Sequence, residues 1–455
     1  MLLRERAAAV LLAITALATS GCIDGKSRDI PPGPTAVPPG SSIFVYVAQA
    51  RDPQLGTNGG AVSVYRLGAD GFLPGGPPED SATVVNPRRL VRHPELPVLY
   101  VASASQILAF DISRGRLDSL CGPAGGLAPP CATAAVPGSN PVDMKFLQNP
   151  DGNYLMYVVE RGGGNNLDTF TRVVAYELGS QGELPAQPSS QAQAGDALSY
   201  QGAEFTPASV QRPGYAYIGD AGQSTITRFQ LQADLNLPDP APTGTPLTPT
   251  PTPLPDPTPD PTPSPDPSPI PTAWRAINPG RMIQAVGALG DGQTQTVLYT
   301  VLQGRGRIGA SPIDASGALP QNPTSESNTR GIYNNIIVRE FLVEGTPMIK
   351  RRIYGAALQN GQVDSFEVDT DGNIIDDTLS ATFANTASYP TGLDLIQFTA
   401  AGGTPLRTLF VSLGGFNRVD AYAVNADGTL PELPYSSTEA MNDTFPSDVL
   451  VYVAE

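Results

Sequence analysis

The hydrophobic pattern of this chain repeats seven times. In each copy an aromatic residue lies within a short apolar run rich in β-branched residues, which is typical of a buried strand. The copies are centred on Tyr46, Tyr100, Tyr157, Tyr217, Tyr299, Tyr354 and Phe410. The steps between them are 54, 57, 60, 82, 55 and 56 residues. A nearly constant period of this size indicates a repeat architecture, in which each small sheet buries its apolar faces against its neighbours.

Further strands accompany each aromatic strand. An alternating strand follows it and ends in a tight turn at Gly or Asn, as at residues 62–65 and then Gly71. A proline, which fits the first residue of a strand, opens another strand in most units. These prolines are Pro87, Pro141, Pro279, Pro390 and Pro446. In units four and six we place the same strand near residues 202–207 and 335–343, so each unit contains four predicted strands.

The two ends of the chain predict how the repeat closes. The first unit begins with an aromatic strand at residues 43–48, whereas the chain ends with an unpartnered first strand at residues 448–453. Pairing these two strands completes a seventh sheet and removes two exposed edges. We therefore predict an all-β fold, a seven-bladed β-propeller of four-stranded antiparallel blades over residues 43–455, closed by pairing of the N- and C-terminal strands.

Composition agrees with this fold and limits the partners. The 47 Gly and 48 Pro among 455 residues favour short strands and turns over long helices. The net charge is −16, and the 27 Lys and Arg are spread along the chain. Because nucleic-acid phosphates require clustered positive charge, we expect no nucleic-acid partner.

The repeated Leu-Tyr-Val strand, the Asp-Gly-x-Leu turn and the preceding proline resemble the seven-bladed lactonase-like propellers. That family includes bacterial 6-phosphogluconolactonase and the Tyr-Val-Thr-Asn repeat proteins, and the resemblance covers residues 42–455. It implies the propeller fold and, as one possible activity, hydrolysis of a sugar-derived lactone. The shared motifs belong to the scaffold, however, and specify an activity only weakly.

The N-terminus predicts export. Arg4 and Arg6 precede an apolar run at residues 7–18 that is too short to span a bilayer but has the length of a signal-peptide core. Residues 17–22 resemble the lipobox of bacterial lipoproteins, which implies removal of residues 1–21 and lipidation of Cys22. An ordinary signal peptide with an incidental cysteine is the alternative. Ile23, where Asp would favour the inner membrane, implies an outer-membrane anchor.

Two cysteines remain once Cys22 carries lipid. Cys121 and Cys131 bracket a turn-rich loop, and an exported chain meets an oxidising compartment. We predict a disulfide between them, with two unpaired thiols as the alternative.

Two segments lie outside the predicted ring. Residues 22–42, rich in Pro and Gly, are expected to form a tether between the membrane and the propeller. Residues 238–272 contain sixteen prolines and are predicted to be a disordered insertion between the third and fourth strands of unit four. The insertion is either a tolerated solvent loop or a stalk that recognises a protein.

His93 is the only histidine, so a Ser-His-Asp catalytic set would have to use it. It lies in a turn before an aromatic strand, and we expect a structural role. We predict no metal and no cofactor. Asp369 and Asp371 alternate as in a calcium loop but coincide with an ordinary hairpin turn.

The best candidate site is a set of charges at the start of the first strands. The residues two positions after the repeat proline are Arg89, Asp143, Arg281, Gly392 and Asp448. If these strands are innermost, the charges surround one mouth of the central channel and act on a small anion or polar ligand. Arg161 and Glu204 are further candidates for the same face, and we assign no catalytic residue. Salt-bridged or solvated strand ends are the alternative interpretation.

Together these features favour an exported, lipid-anchored propeller that binds a small molecule or a protein without catalysis. The chain shows no nucleophile, base and orienting partner at a recognisable spacing. A lactone hydrolase is the alternative.

Overall fold

The structure is a computed structural model of the chain. It describes residues 35–36, 41–51, 59–68, 70–104, 106–120, 131–134, 139–162, 170–196, 200–206, 214–220, 225–237, 273–275, 279–288, 294–302, 305–328, 331–342, 349–358, 360–381, 388–399, 405–438 and 444–454. Within these ranges no helix combines the length and the apolar character needed to cross a membrane.

Nearly all regular structure is β-strand. In blades 1 to 3 and before them, the strands are β1 Thr35–Ala36, β2 Ser42–Arg51, β3 Gly60–Arg66, β4 Asp80–Thr83, β5 Arg89–Arg92, β6 Val98–Ala102, β7 Gln106–Asp111, β8 Asp118–Ser119, β9 Cys131–Ala134, β10 Ser139–Gln148, β11 Tyr154–Gly162, β12 Phe170–Glu177 and β13 Ser190–Asp196. In blades 4 to 7 and after them, they are β14 Tyr200–Thr206, β15 Tyr215–Asp220, β16 Thr225–Gln230, β17 Ala273–Arg275, β18 Pro279–Ala288, β19 Thr294–Leu302, β20 Arg307–Ile313, β21 Ser325–Glu326, β22 Tyr333–Leu342, β23 Ile349–Ala357, β24 Gln362–Val368, β25 Ile374–Ala381, β26 Pro390–Thr399, β27 Pro405–Leu413, β28 Arg418–Ala423, β29 Ser436–Ser437 and β30 Thr444–Ala454. A short 3-10 helix, Gly414–Phe416, lies between β27 and β28.

The strands form seven small antiparallel sheets, which we number as blades. Blade 1 has the order β30-β2-β3-β4, and blades 3 to 6 each contain four consecutive strands. Blade 2 runs from β5 to β8 and gains β9, which pairs with β7. Blade 7 runs from β26 to β29 and gains β1.

The first strand of each blade is the innermost. These inner strands, β30, β5, β10, β14, β18, β22 and β26, contact one another in that order, and β26 contacts β30 again. The contacts therefore close a circle around a central channel. This confirms the predicted seven-bladed propeller, and we call the end where the inner strands begin the mouth.

The chain ends close the ring as predicted. β2 and β30 pair antiparallel from Ser42 opposite Ala454 to Arg51 opposite Thr444. Ile43 lies opposite Val453, and Ala48 lies opposite Asp448. These four residues are the ends of segments 43–48 and 448–453, which the sequence predicted to pair. Because this pairing leaves no open edge between first and last repeats, it links the termini of the domain directly.

The core is divided among the blade interfaces. Seven clusters of buried apolar side chains are present among the described residues, and each draws on two neighbouring blades. For example, Phe410 of blade 7 packs with Val45 and Val47 of blade 1. A blade alone would expose both apolar faces to water, so the blades are stable only as neighbours.

Several sequence predictions concern residues outside those described. They include residues 1–34, the insertion at 238–272, Cys121 and the side chain of Cys131. β16 and β17 flank the insertion and pair with each other, so it connects the third and fourth strands of blade 4. The signal peptide, the lipidation of Cys22 and the disulfide remain predictions.

Candidate functional site

A β-bulge marks the start of the inner strands. The register shifts lie between Pro141 and Asp143, Tyr200 and Gly202, Pro279 and Met282, Tyr333 and Asn335, Pro390 and Gly392, and Pro446 and Asp448. β5, the seventh inner strand, begins at Arg89 itself. Bulges redirect side chains and are frequent beside functional sites. We call the six residues that follow these shifts, together with Arg89, the bulge ring: Arg89, Asp143, Gly202, Met282, Asn335, Gly392 and Asp448.

Four of the residues predicted at the mouth belong to the bulge ring. Arg89, Asp143, Gly392 and Asp448 follow their prolines as expected. Arg281 lies within the register shift of β18, and Arg161 lies near the end of β11 opposite Asn140. The side chains of Arg161 and Arg281 are outside the described residues, so their roles remain predictions.

Arg89 joins two neighbouring blades. Its Nε lies 3.3 Å from Asp143 Oδ1 in blade 3, and its Nη1 lies 3.3 Å from Asp448 Oδ2 in blade 1. Arg89 is only 3% exposed, and both aspartates are buried as well. Charges buried this deeply require partners, because an uncompensated ion loses its hydration.

The two aspartates also bind the backbone of the next inner strand. Asp448 Oδ2 accepts a 2.9 Å hydrogen bond from the Leu90 N–H, and Asp143 Oδ2 accepts one of 3.3 Å from the Ala203 N–H. Both carboxylates are therefore engaged by a guanidinium and by backbone donors. This arrangement makes them structural anions that hold Arg89 in place.

Gly392 allows blade 7 to approach blade 1 closely. A Cβ at this position would lie 2.6 Å from Asp448 Cα and 2.8 Å from Asp448 Oδ1. Separations this short are not found for real Cβ atoms, so only glycine fits here without a shift of the neighbouring strand. This explains why the seventh blade carries no charge at the predicted position.

Two buried polar groups of the bulge ring lack hydrogen-bond partners among the described residues. One is the Arg89 guanidinium, in which Nε and Nη2 make no hydrogen bond although Nε is ion-paired with Asp143, and the other is the side-chain amide of Asn335, both of whose polar atoms are unpartnered. Asn335 is 1% exposed. An unsatisfied buried polar group costs free energy, so each of these groups favours an oxygen partner, from an ordered water or from a ligand.

The backbone before two inner strands is strained. Asn86 and Tyr389 have φ angles of 47° and 45°, and each directly precedes a proline. This left-handed region is unfavourable for residues with a side chain, and such strain concentrates at functional sites. The 3.0 Å hydrogen bond from the Gly414 N–H to the Tyr389 carbonyl supports this conformation. Tyr389 is 45% exposed, so it presents an aromatic surface beside the mouth.

Deeper in the inner strands lie ion pairs that sequence reasoning missed. Lys145 Nζ lies 3.1 Å from Glu204 Oε2, and Arg339 Nη2 lies 3.0 Å from Asp394 Oδ1. Glu204, a weaker candidate from the sequence, is thus paired across blades 3 and 4 below the bulge ring. Strand alternation could have found Lys145 in the sequence. It follows Asp143 by two positions, and residues two apart in a strand lie on the same face of the sheet.

His93 has the structural position expected from the sequence. Its Nδ1 accepts hydrogen bonds from the backbone N–H groups of Glu95 and Leu96, at 3.2 and 3.0 Å. Burial, and to a smaller extent the charge of Arg92, lowers the pKa of His93 to about 4. The neutral imidazole is therefore part of a turn at the opposite end of β5 from Arg89.

The Asp369 turn connects β24 and β25 and is held by its own side chain. Asp369 Oδ1 accepts hydrogen bonds from the N–H groups of Asp371 and Asn373, at 2.9 and 2.7 Å. Across the described ranges, no cluster of three or more His, Cys, Asp and Glu side chains is arranged to hold a metal ion.

An open crevice of about 130 Å³ lies between blades 6 and 7. Its lining includes Ser388, Phe416, Arg418, Asp420 and Leu433. Arg418 is paired with Asp420 at 2.8 Å, so its charge is already compensated.

Comparison with known proteins identifies the fold. No protein-family model and no curated protein matches the chain. A protein assigned as a 6-phosphogluconolactonase from Bacteroides fragilis is 15% identical, with a TM-score of 0.54 over 91% of this chain and 98% of that one. The periplasmic gluconolactonase PpgL of Pseudomonas aeruginosa is 16% identical, with a TM-score of 0.54 over 91% and 100%. A protein assigned as a 6-phosphogluconolactonase from Bacteroides uniformis is 15% identical, with a TM-score of 0.53 over 90% and 99%.

These structures share the seven-bladed propeller with the present chain. The chain is thus a seven-bladed β-propeller in its fold. Identities of 15 and 16% establish the architecture alone and leave the chemistry to the site.

Proposed function

We propose that this protein is a lipid-anchored propeller of the bacterial cell envelope that binds a small, oxygen-rich molecule at the mouth of its channel, without catalysis. The observation that carries the proposal is the buried Arg89, held between Asp143 and Asp448 with its Nη2 group unpartnered among the described residues. A fixed guanidinium with spare donors suits carboxylate, carbonyl and hydroxyl oxygens.

The chemistry of the mouth supports a sugar acid or a sugar lactone as the ligand. Asn335 offers one donor group and one acceptor, as hydroxyl groups require. Tyr389 offers an exposed aromatic surface close to the same strands. No nucleic acid is expected, because the net charge is −16.

Lactone hydrolysis is the second candidate, and the shared fold with two proteins assigned as 6-phosphogluconolactonases and with a periplasmic gluconolactonase favours it. Hydrolysis needs a group that activates water. Asp448 already accepts hydrogen bonds from Arg89 and from the Leu90 N–H, and Asp143 is ion-paired with Arg89 and accepts from the Ala203 N–H, which favours binding over turnover.

The two candidates are separated by measuring binding and turnover on the same protein. Protein starting at residue 23 is titrated calorimetrically with D-gluconate and 6-phosphogluconate and is assayed by pH-stat with glucono-1,5-lactone and 6-phosphogluconolactone. Binding without turnover above the spontaneous rate supports the first candidate. Turnover that depends on Arg89 supports the second candidate. The absence of both binding and turnover would contradict both candidates.

A matched pair of variants assigns the effect to the mouth. Arg89→Met and Arg339→Met each break a buried ion pair, but only Arg89 belongs to the bulge ring. Loss of one charge-assisted hydrogen bond weakens binding about ten- to a hundredfold, and we expect this for Arg89→Met alone. Equal losses in both variants would show a general structural effect instead.

The anchor is tested separately. We expect the natural chain to fractionate with outer membranes, and Cys22→Ser to release it into the soluble fraction. A Cys22→Ser protein that stays with the membrane would contradict lipidation at this residue.

A further inference from the structure

β1 lies inside the channel. Thr35 pairs with Phe398 and Ala36 with Thr399, in parallel orientation. β26 is the innermost strand of blade 7, and β27 occupies its other edge. The edge that receives β1 is therefore the one that faces the channel.

The pairing lies far from the mouth. Gly392 belongs to the bulge ring, and Phe398 is six residues further along β26. At about 3.3 Å per residue the two positions are separated by about 20 Å along the channel. β1 thus lies toward the end of the channel opposite the bulge ring, which we call the far end.

The connection to the propeller agrees with this position. Ser42 begins β2 opposite Ala454, which is also at the far end because β30 begins at the mouth. Residues 37–41 join Ala36 to Ser42, and six Cα steps reach about 20 Å when extended. Because blade 7 is the neighbour of blade 1, a connection of this length is sufficient to join Ser42 in blade 1 to a strand on the inner edge of blade 7.

The local sequence limits the pairing to a short unit. Pro34 and Pro38 bracket Thr35, Ala36 and Val37, and proline has no N–H group to donate to a strand. The channel-facing edge of an inner strand presents unpaired N–H and C=O groups, which an extended segment satisfies by strand addition.

We propose that the N-terminal segment is a built-in occupant of the channel: Thr35 and Ala36 dock as an extra strand on β26 and close the far end, so that a ligand enters and leaves only through the bulge ring. The propeller is then a cup with one opening. Thr35 and Ala36, which form its base, lie within the predicted tether at residues 22–42.

Hydrogen exchange tests the pairing directly. In the full chain, amides at the end of β26 are compared with those at the ends of the inner strands β22 and β30, on which no described residue adds a strand. We expect slower exchange in β26. The double variant Thr35→Pro and Ala36→Pro removes both donors and is expected to raise the exchange rate there about tenfold or more.

The control is the double variant Thr35→Ala and Ala36→Ser, which keeps both backbone N–H groups and is expected to exchange like the natural chain. Unchanged β26 exchange in the proline variant would overturn the proposal, as would β26 amides that exchange as fast as those of β22 in the natural chain. The route of the ligand rests on the proposed function, whereas the pairing is measured without ligand. The two therefore fail separately.

Discussion

The hydroxyl of Tyr100 in blade 2 donates a 2.7 Å hydrogen bond to the carbonyl of Gly182 in blade 3. Gly182 has a φ angle of 82°, and a Cβ there would lie 2.9 Å from the same hydroxyl. The aromatic residue of one repeat and the turn glycine of the next are thus parts of a single contact. The same bond joins Tyr157 to Leu235, Tyr217 to Gly317, Tyr299 to Gly372 and Tyr354 to Gly428.

Two blade interfaces depart from this rule. Phe410 has no hydroxyl, and Tyr435 donates instead to the Gly71 carbonyl at 2.8 Å. Tyr46 has a hydroxyl, but no hydrogen-bond partner for it exists in the described part of the chain. These exceptions provide natural controls for the contribution of the bond.

The blade-to-blade hydrogen bond predicts unequal effects of the same substitution. Tyr100→Phe leaves the Gly182 carbonyl buried without this donor, and we expect it to lower the free energy of unfolding by about 1–2 kcal/mol. Tyr46→Phe removes an unpartnered hydroxyl and is expected to cost nothing or to stabilise. Urea unfolding of both variants measures the difference, and equal costs would contradict the assignment.

His93 predicts a stability change with pH. Its pKa is lowered to about 4, from an ordinary 6.5, because the folded protein buries the neutral imidazole. The unfolded chain therefore binds a proton more readily than the folded protein. The contribution of His93 to the free energy of unfolding is at its maximum above pH 6.5 and is lost as the pH drops toward 4. The loss is about 3 kcal/mol at most.

Urea unfolding at pH 7 and at pH 4 measures the acid-induced loss in the free energy of unfolding for the natural chain and for His93→Asn, which cannot take up the proton. We expect a smaller decrease in the variant. A decrease of the same size in both proteins would assign the acid sensitivity to other groups.

Asn335→Leu is expected to separate stability from binding. The substitution replaces an unpartnered buried amide with an apolar group of similar volume, so the melting temperature should stay constant or rise. Affinity for D-gluconate should fall about tenfold, because the ligand loses one hydrogen-bonding partner. Scanning calorimetry and titration calorimetry give the two quantities.

A neighbouring residue provides the control for this variant. Asn334 donates a long bond of 3.4 Å to the Thr391 carbonyl, and Asn334→Leu is expected to retain affinity. A large loss of stability in Asn335→Leu would show that the amide is engaged in the fold.

The close approach of blades 7 and 1 predicts that Gly392→Ala is costly. The added Cβ would overlap the backbone of Asp448, and the strands must separate to admit it. We expect a destabilisation of about 1–3 kcal/mol. Gly75→Ala is the control, since nothing lies within 4 Å of a Cβ at Gly75. Thermal unfolding with equal midpoints for the two variants would contradict the close packing.

Much of the fold could be predicted from the sequence because the hydrophobic pattern of each repeat predicts the strands of one blade. The aromatic runs mark the second strands, and the unpartnered segments at residues 43–48 and 448–453 predict the closing sheet. β1 was not predicted. A two-residue pairing between prolines leaves no hydrophobic period, and its partner strand, β26, is more than 350 residues away in the sequence.

The site was predictable only in part. Arg89, Asp143 and Asp448 share a position relative to a proline, so their common location at the mouth follows from the repeat. The pairing of these charges depends on the bulges and on the angle between blades. Neither can be predicted from the sequence of a single strand. Asn335 was missed because its unit lacks the proline that marks the others.

The mouth of the channel is the proposed ligand site, and a crystal structure of the protein soaked with D-gluconate is the most direct test of it. We expect electron density for the ligand within hydrogen-bonding distance of Arg89 Nη2 and the Asn335 amide, above the bulge ring. A ligand that binds in solution but lies in the crevice between blades 6 and 7, or anywhere else away from Arg89, would contradict it.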